Sequence, residues 1–285
     1  MKIAKTIQQI ITIVSDARDK AKTVGFVPTM GALHTGHISL IETAGKQCDF
    51  VVVSIFVNPT QFGPTEDYEK YPHTLDDDLD ICRSSGVDAV FVPDAKQMYP
   101  EQQLSWVNVE KLTEPLCGRS RPEHFRGVAT VCAKLFNIVQ PDAAFFGCKD
   151  AQQAVVIKRM VADLNMPLRI VTCPTVRDSD GLAVSSRNKY LSEDQRRQAL
   201  LIYKSLQAAG KMIKQQGCRD SQTIIGNMRK ILGQGSLVQV EYISIVDAGN
   251  LQPVDRISGR VLIAVAARVG STRLIDNITV DLSNS

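Results

Sequence analysis

The chain has 285 residues, 44% of them hydrophobic, enough to bury one full core and a second, smaller one. Its net charge of +3, from 33 basic and 30 acidic side chains, is too slight for a nucleic-acid or membrane surface, so neither partner is expected. Seven scattered cysteines (Cys48, Cys82, Cys117, Cys132, Cys148, Cys173 and Cys218) form no Cys-x-x-Cys pair, which fits reduced thiols and a cytoplasmic location better than a disulfide frame or a zinc site.

The N-terminus lacks the apolar core and cleavage site of a signal peptide, and its spaced Ile3, Ile7, Ile10, Ile11 and Val14 predict an amphipathic helix. "TVGFVPT" and "CDFVVVSIFVN" predict buried strands, with a helix from about Gly36 to Lys46 between them. "VDAVFVP" follows an aspartate-rich helix, "AAFFG" follows "FRGVATVCAKLFNIV", and "PLRIVTCPT" follows "DAQQAVVIKRMVADLN". That βαβα order predicts an α/β, Rossmann-like parallel sheet with helices on both faces and ligands beyond the carboxyl ends of the strands. After "RDSDGLAVSSRNKYLS" the pattern changes. Helices from Glu193 to about Gln216 and from Ser221 to Leu232 lead into three alternating segments that predict a small antiparallel sheet. The expected division is residues 1–175 and a smaller α+β domain of residues 176–285, with Ser185 to Asn188 at the seam.

"PTMGALHTGH" carries the first chemical signal. The strand ends near Pro28, Gly31 permits a sharp turn, and Thr35 is the expected N-cap of the helix opening at Gly36, so free backbone N–H groups should face the crevice. His34 and His37 lie three apart on the first turn, where both can aim N–H donors at phosphate oxygen; the alternative is that one satisfies the turn and the other lies on a helix surface. Neither a Walker loop nor a Gly-x-Gly-x-x-Gly fingerprint is present, so a bound nucleotide would meet histidines instead.

Four further stretches follow. "FVNPTQFGPTEDYEKYP" brings Asn58, Gln61, Glu66 and Asp67 into a loop after the second buried strand, either as a simple turn or with the Gln61 amide open to the crevice. "CGRSRPEHFRGVATV" places Arg119, Arg121, His124 and Arg126 before a helix, as a solvated basic loop or an anion-holding lid. "FFGCKDAQQ" presents Lys149, Asp150, Gln152 and Gln153 at a helix start, where Lys149 can meet phosphate and Asp150 a ribose hydroxyl, or the two can form a surface ion pair. "SDGLAVSSRNKYL" offers Ser185, Ser186, Arg187 and Asn188, as an ordinary helix entry or as a phosphate clamp for departing pyrophosphate.

Thr29-Met30-Gly31 with His34-Thr35-Gly36-His37 resembles the signature of HIGH-motif nucleotidyltransferases. With "FVNPTQF", "HFRGVATV", "FGCKDAQQ", "GLAVSSRNKYL" and "RLIDN" in that order, nearly the whole chain resembles the pantothenate synthetase family. The resemblance implies condensation of pantoate with β-alanine through a pantoyl adenylate, with ATP as substrate, Mg²⁺ as its companion, no enzyme nucleophile, and a homodimer. It also implies site residues. Met30, Gly31, Ala32, Leu33, His34, Thr35, Gly36 and His37 would hold ATP phosphates, with His37 as catalytic acid. Gly147, Cys148, Lys149 and Asp150 would contact ribose and phosphate, Val176 the adenine, and Val184, Ser185, Ser186 and Arg187 the phosphates; Lys149 and Arg187 join the histidines in catalysis. Gln61 and Gln153 would hold pantoate. Asp77 and Asp78 are candidate outer partners of magnesium, a solvated helix face being the alternative. Three positions depart from the family pattern: Cys148 for Glu, Glu123 for Gly, and His73 for Arg. The competing functions are a nucleotidyltransferase that leaves the adenylyl group on its substrate and a silent nucleotide sensor; an RNA-binding relative is disfavoured by the charge.

Overall fold

The computed structural model describes residues 1–63, 68–69 and 71–283; Glu66 and Asp67 lie outside the described residues. Strand and helix alternate as β1 (Lys2–Ala4), α1 (Ile7–Arg18), β2 (Val24–Thr29), α2 (Thr35–Gln47), β3 (Phe50–Ile55), α3 (Leu75–Ser84), β4 (Ala89–Phe91), a short α4 (Ala95–Met98), α5 (His124–Val139), β5 (Ala143–Gly147), α6 (Ala151–Asp163) and β6 (Arg169–Cys173). These six strands form one parallel sheet in the order β1-β4-β3-β2-β5-β6. Central strands β2 and β3 read as apolar runs because alternate residues enter different cores: Val24, Phe26 and Val52 pack with α1, α5 and α6, while Val27, Val51, Val53 and Ile55 pack with α2 and α3.

The first predicted helix begins later than its isoleucine spacing suggests. Thr6 caps α1, its hydroxyl accepting from the Gln9 amide at 3.2 Å while the Gln9 side chain accepts from the Thr6 amide at 3.1 Å. Ile3 therefore falls in β1, paired with Val90, and it and Ile11 are exposed; Ile10, Val14 and Ala17 form the buried stripe.

The remaining elements are α7 (Glu193–Lys214), α8 (Ser221–Leu232), β7 (Val238–Asp247), β8 (Arg260–Val269) and β9 (Thr272–Asp281), the strands making an antiparallel sheet in chain order. Val261, Ile263, Val265, Ala267 and Val269 of β8 pack with α7 and α8. Leu262 and Ala264 point the other way, into the core that holds Phe146 and Val156. Burial on both faces explains the unbroken apolar run of β8, and it joins the small sheet to the large one.

Candidate active site

In the strand order, β2 is flanked by β3 on one side and β5 on the other, and the crevice opens beyond their carboxyl ends, at the topological switch point. It encloses about 800 Å³. The turn after β2 contributes Met30, His34 and His37, the loop after β3 contributes Asn58 and Gln61, and the turn after β5 contributes Lys149, Asp150 and Gln153. Three sequence motifs far apart in the chain are thus brought to one cavity by the order of the strands.

The histidine turn is built differently from its sequence expectation. α2 starts at Thr35, so its N-cap is His34 and not Thr35. His34 Nδ1 accepts from the Gly36 amide at 3.2 Å, and His37 Nδ1 accepts from the His34 amide at 3.3 Å, a capping box made of two imidazoles. Each Nδ1 must present a lone pair to an N–H, so in the neutral ring the proton resides on Nε2. The rings lie 4.1 Å apart between centroids. Burial, with the Lys149 charge adding to it, lowers His34 to about 4; burial, then His34 and Lys149, lower His37 to about 3. Both rings are neutral near pH 7 and offer Nε2–H donors. His37 is therefore a hydrogen-bond donor in the free protein rather than an imidazolium acid. A Cβ on Gly36 would come within 2.9 Å of the His34 ring, so glycine here makes room for the capping imidazole itself.

The expectation of free backbone donors holds for few of the turn's amides. The Gly31 amide donates to Thr29 Oγ1 at 3.2 Å, and those of Ala32 and Leu33 donate to Asp78 at 2.9 and 2.7 Å. The His34 and Gly36 amides are given to the imidazoles, which leaves side chains as the main donors toward the crevice. Gly31, Ala32, Leu33, Thr35 and Gly36 shape the turn and do not line the crevice, and Gly31 (φ 84°) and Ala32 (φ 50°) both adopt left-handed backbone to make it.

Asp78 is accordingly a buried brace, with Thr74 Oγ1 a further 3.3 Å partner, and Asp77 lies on the exposed side of α3. Neither reaches the crevice, so neither fits as an outer partner of magnesium. Among the described residues no group of three or more His, Cys, Asp or Glu side chains is disposed to hold a metal ion.

Gln61 is buried, with Oε1 accepting from Asn58 Nδ2 at 3.1 Å and Nε2 donating to Met30 Sδ at 2.9 Å. Its second lone pair and second hydrogen are left for a ligand. The Asn58 amide is fully used, by Gly127 O, Gln61, Thr60 and Tyr99, as a scaffold beneath it. His124 Nδ1 and Arg121 hold the Gln61 carbonyl at 2.8 and 3.3 Å, and both line the crevice. Arg119 is exposed, while Arg126 pairs with Glu123 and stacks on Trp106, 4.6 Å from the ring centroid, so only half of the basic loop faces the site. Glu123 thereby gains a partner, and His73 is exposed.

The two glutamines after β5 separate. Both line the crevice, but Gln152 is buried with its amide spent on the Cys117 amide and the Leu112 and Pro115 carbonyls, which leaves Gln153 as the one with no such partners. Lys149 Nζ lies 3.8 Å from Asp150 Oδ1 with its side chain partly exposed to the cavity. Gly147 and Cys148 lie behind the lining, and the Cys148 carbonyl accepts from Asn277 Nδ2 at 3.0 Å. Ser185, Ser186 and Arg187 also line the crevice; Ser185 caps the short turn Ser186–Tyr190. Val176 and Val184 do not line the cavity but are joined by a 3.0 Å backbone hydrogen bond that fixes the base of this segment.

Sequence reading missed a wall. Glu241, Tyr242, Arg268 and Arg273 from the small sheet also line the crevice, Arg273 Nε donating to Glu241 at 2.8 Å. Charged residues interrupting otherwise apolar strands were the available signal.

Comparison with known proteins gives a consistent assignment. A family model described as pantoate-beta-alanine ligase matches residues 2–279. A pantothenate synthetase of Moorella thermoacetica is 51% identical over 284 residues, covering 100% of both chains. A crystal structure of pantothenate synthetase from Thermus thermophilus superposes with a TM-score of 0.92 at 42% identity, covering 98% of this chain and 99% of that one. A pantoate-beta-alanine ligase from Francisella tularensis, complexed with beta-gamma ATP and beta-alanine, gives 0.81 at 36% identity, covering 98% and 97%.

Proposed function

The chain belongs to the pantoate-beta-alanine ligase family, and from that premise we propose that its crevice condenses (R)-pantoate with β-alanine at the expense of ATP, through a pantoyl adenylate, releasing AMP and pyrophosphate. The observation that carries this reading is the meeting of two neutral Nε2–H imidazoles and the Lys149 ammonium with the amides of Gln61 and Gln153 in one cavity. The cationic and N–H side suits phosphate; the amide side suits a small hydroxy acid.

The pantoate carboxylate attacks the α-phosphorus and pyrophosphate departs; the β-alanine amine then attacks the adenylate carbonyl and AMP departs. No side chain acts as nucleophile. His34 and His37, whose motif is of the HIGH type, donate to phosphate oxygens as negative charge concentrates, while Lys149, Ser185, Ser186 and Arg187 take the charge of the leaving group. Gln61 and Gln153 orient the carboxylate in line, which can supply about 7–11 kcal/mol of the barrier reduction. Magnesium enters only as the ion carried on the nucleotide phosphates, and no step is assigned to a protein-held metal.

A cytoplasmic setting is supported by seven free thiols, and no described helix is long and apolar enough to cross a membrane. We divide the chain near Val176, where β6 has ended and the crevice rim begins, and we infer a homodimer from family membership. The test is AMP formation by purified protein. It should require pantoate and β-alanine together; pyrophosphate release without AMP, with an adenylylated product that persists when the amine is present, would favour the other nucleotidyltransferase chemistry.

A further inference from the structure

The turn that carries Lys149 is held by a residue from the other sheet. Asn277, in β9 and paired in register with Ala264, is buried, and its Nδ2 donates to the Cys148 carbonyl at 3.0 Å and to the Lys149 carbonyl at 2.8 Å. Two converging carbonyls settle which end of the amide faces them, since only NH₂ can satisfy both. The strand behind is fixed in turn. Arg177 forms a two-pronged pair with Asp276 at 2.6 and 2.9 Å, its guanidinium lies 3.8 Å from the Tyr203 ring centroid, and Asp276 Oδ1 accepts the Asn277 amide at 2.7 Å. The peptide on either side of Lys149 is therefore clamped from the small sheet, while the ammonium projects into the crevice toward the histidines.

We propose that Asn277 is a positioning residue that fixes the Lys149 backbone, and so makes the aim of the ammonium depend on docking of the small sheet against the turn after β5. This rests on the phosphate role given to Lys149 above. Asn277 stands at the crevice wall, but both hydrogens of its amide are spent on the two carbonyls, and its effect is assigned to them. An Asp at this position has the same shape but sets oxygens against oxygens, so it distinguishes a donor from a space-filler.

The test compares full-length wild type with Asn277→Ala, Asn277→Asp, Lys149→Ala and the Lys149→Ala/Asn277→Ala double variant, in pantoate-dependent ATP–pyrophosphate exchange and in backbone hydrogen exchange over residues 147–151. Both Asn277 variants should lose on the order of ten- to a hundredfold in kcat, the scale of a small misplacement, with KM for pantoate nearly unchanged. The loss should vanish in the Lys149→Ala background, because the two changes act through one group. Hydrogen exchange in the turn should quicken in both variants. Full activity in Asn277→Asp, or losses that simply multiply in the double variant, would overturn the proposal. Hydrogen exchange judges the clamp without catalysis: an unchanged turn in Asn277→Ala overturns it even if wild type proves inactive, whereas inactivity of wild type alone refutes the functional reading.

Discussion

At the residue scale, the paired imidazoles do two jobs with different atoms: Nδ1 of each caps the helix and Nε2–H of each is offered to the crevice. Truncation confuses the two, so the informative substitution at His37 keeps the acceptor and removes the donor. Glu is the usual partner at this position of a capping box. His37→Ala should lose about 2.7–4 kcal/mol of transition-state stabilisation, a hundredfold or more in rate, together with some thermal stability. His37→Glu should regain stability without regaining rate, as measured by melting and by AMP formation; recovery of both would mean that capping is its whole role. Protonation gives a second check. With pKa values lowered to about 4 and 3 from 6.5, the unfolded chain takes up protons first on acidification. The stability these two rings confer is complete above pH 6.5 and is lost as pH falls toward 3. Histidine NMR should show both rings as Nε2–H tautomers with no titration between about pH 8 and 5, and a midpoint near 6.5 at either ring would contradict the assignment.

At the element scale, the turn between β2 and α2 depends on α3. Asp78 reaches across from α3 to the Ala32 and Leu33 amides, and this takes two of the turn's N–H groups away from any anion in the crevice. Such a brace was not legible in the sequence, because a carboxylate 45 residues away gives no local sign of whom it serves. The strand and helix runs were legible, down to Ser221–Leu232, since hydrophobic period and caps are local. The N-cap was misplaced by one residue because imidazole is an unusual cap, and only the family resemblance, not the residues themselves, singled out Gln153 from Gln152, because neighbours on a helix point about 100° apart and packing decides which one is spent on the scaffold. Asp78→Ala should leave two buried amides unpaired, at about 1–3 kcal/mol each, and lower the melting temperature regardless of Mg²⁺. An unchanged melting temperature with a raised Mg²⁺ requirement would restore the metal role.

At the scale of the whole molecule, two sheets share a core. Val246, Leu251, Leu262 and Ala264 of the small sheet's region pack into the cluster that contains Phe146 and Val156, and Asn277 and Arg273 cross to the turn after β5 and to Cys117. Leu262→Ala should therefore cost about 2–5 kcal/mol and weaken both parts together, so that far-ultraviolet and near-active-site probes of denaturant unfolding remain coincident. Separate transitions would show that the parts fold independently. Ser185, Ser186 and Arg187 line the same crevice as the histidine turn, an enclosure that would help keep water from the proposed adenylate. The most direct test of that account is ATP–pyrophosphate exchange by the purified protein with β-alanine withheld. Exchange that appears only when pantoate is added is the predicted result; exchange indifferent to pantoate, or none from a folded protein that binds ATP, would contradict it.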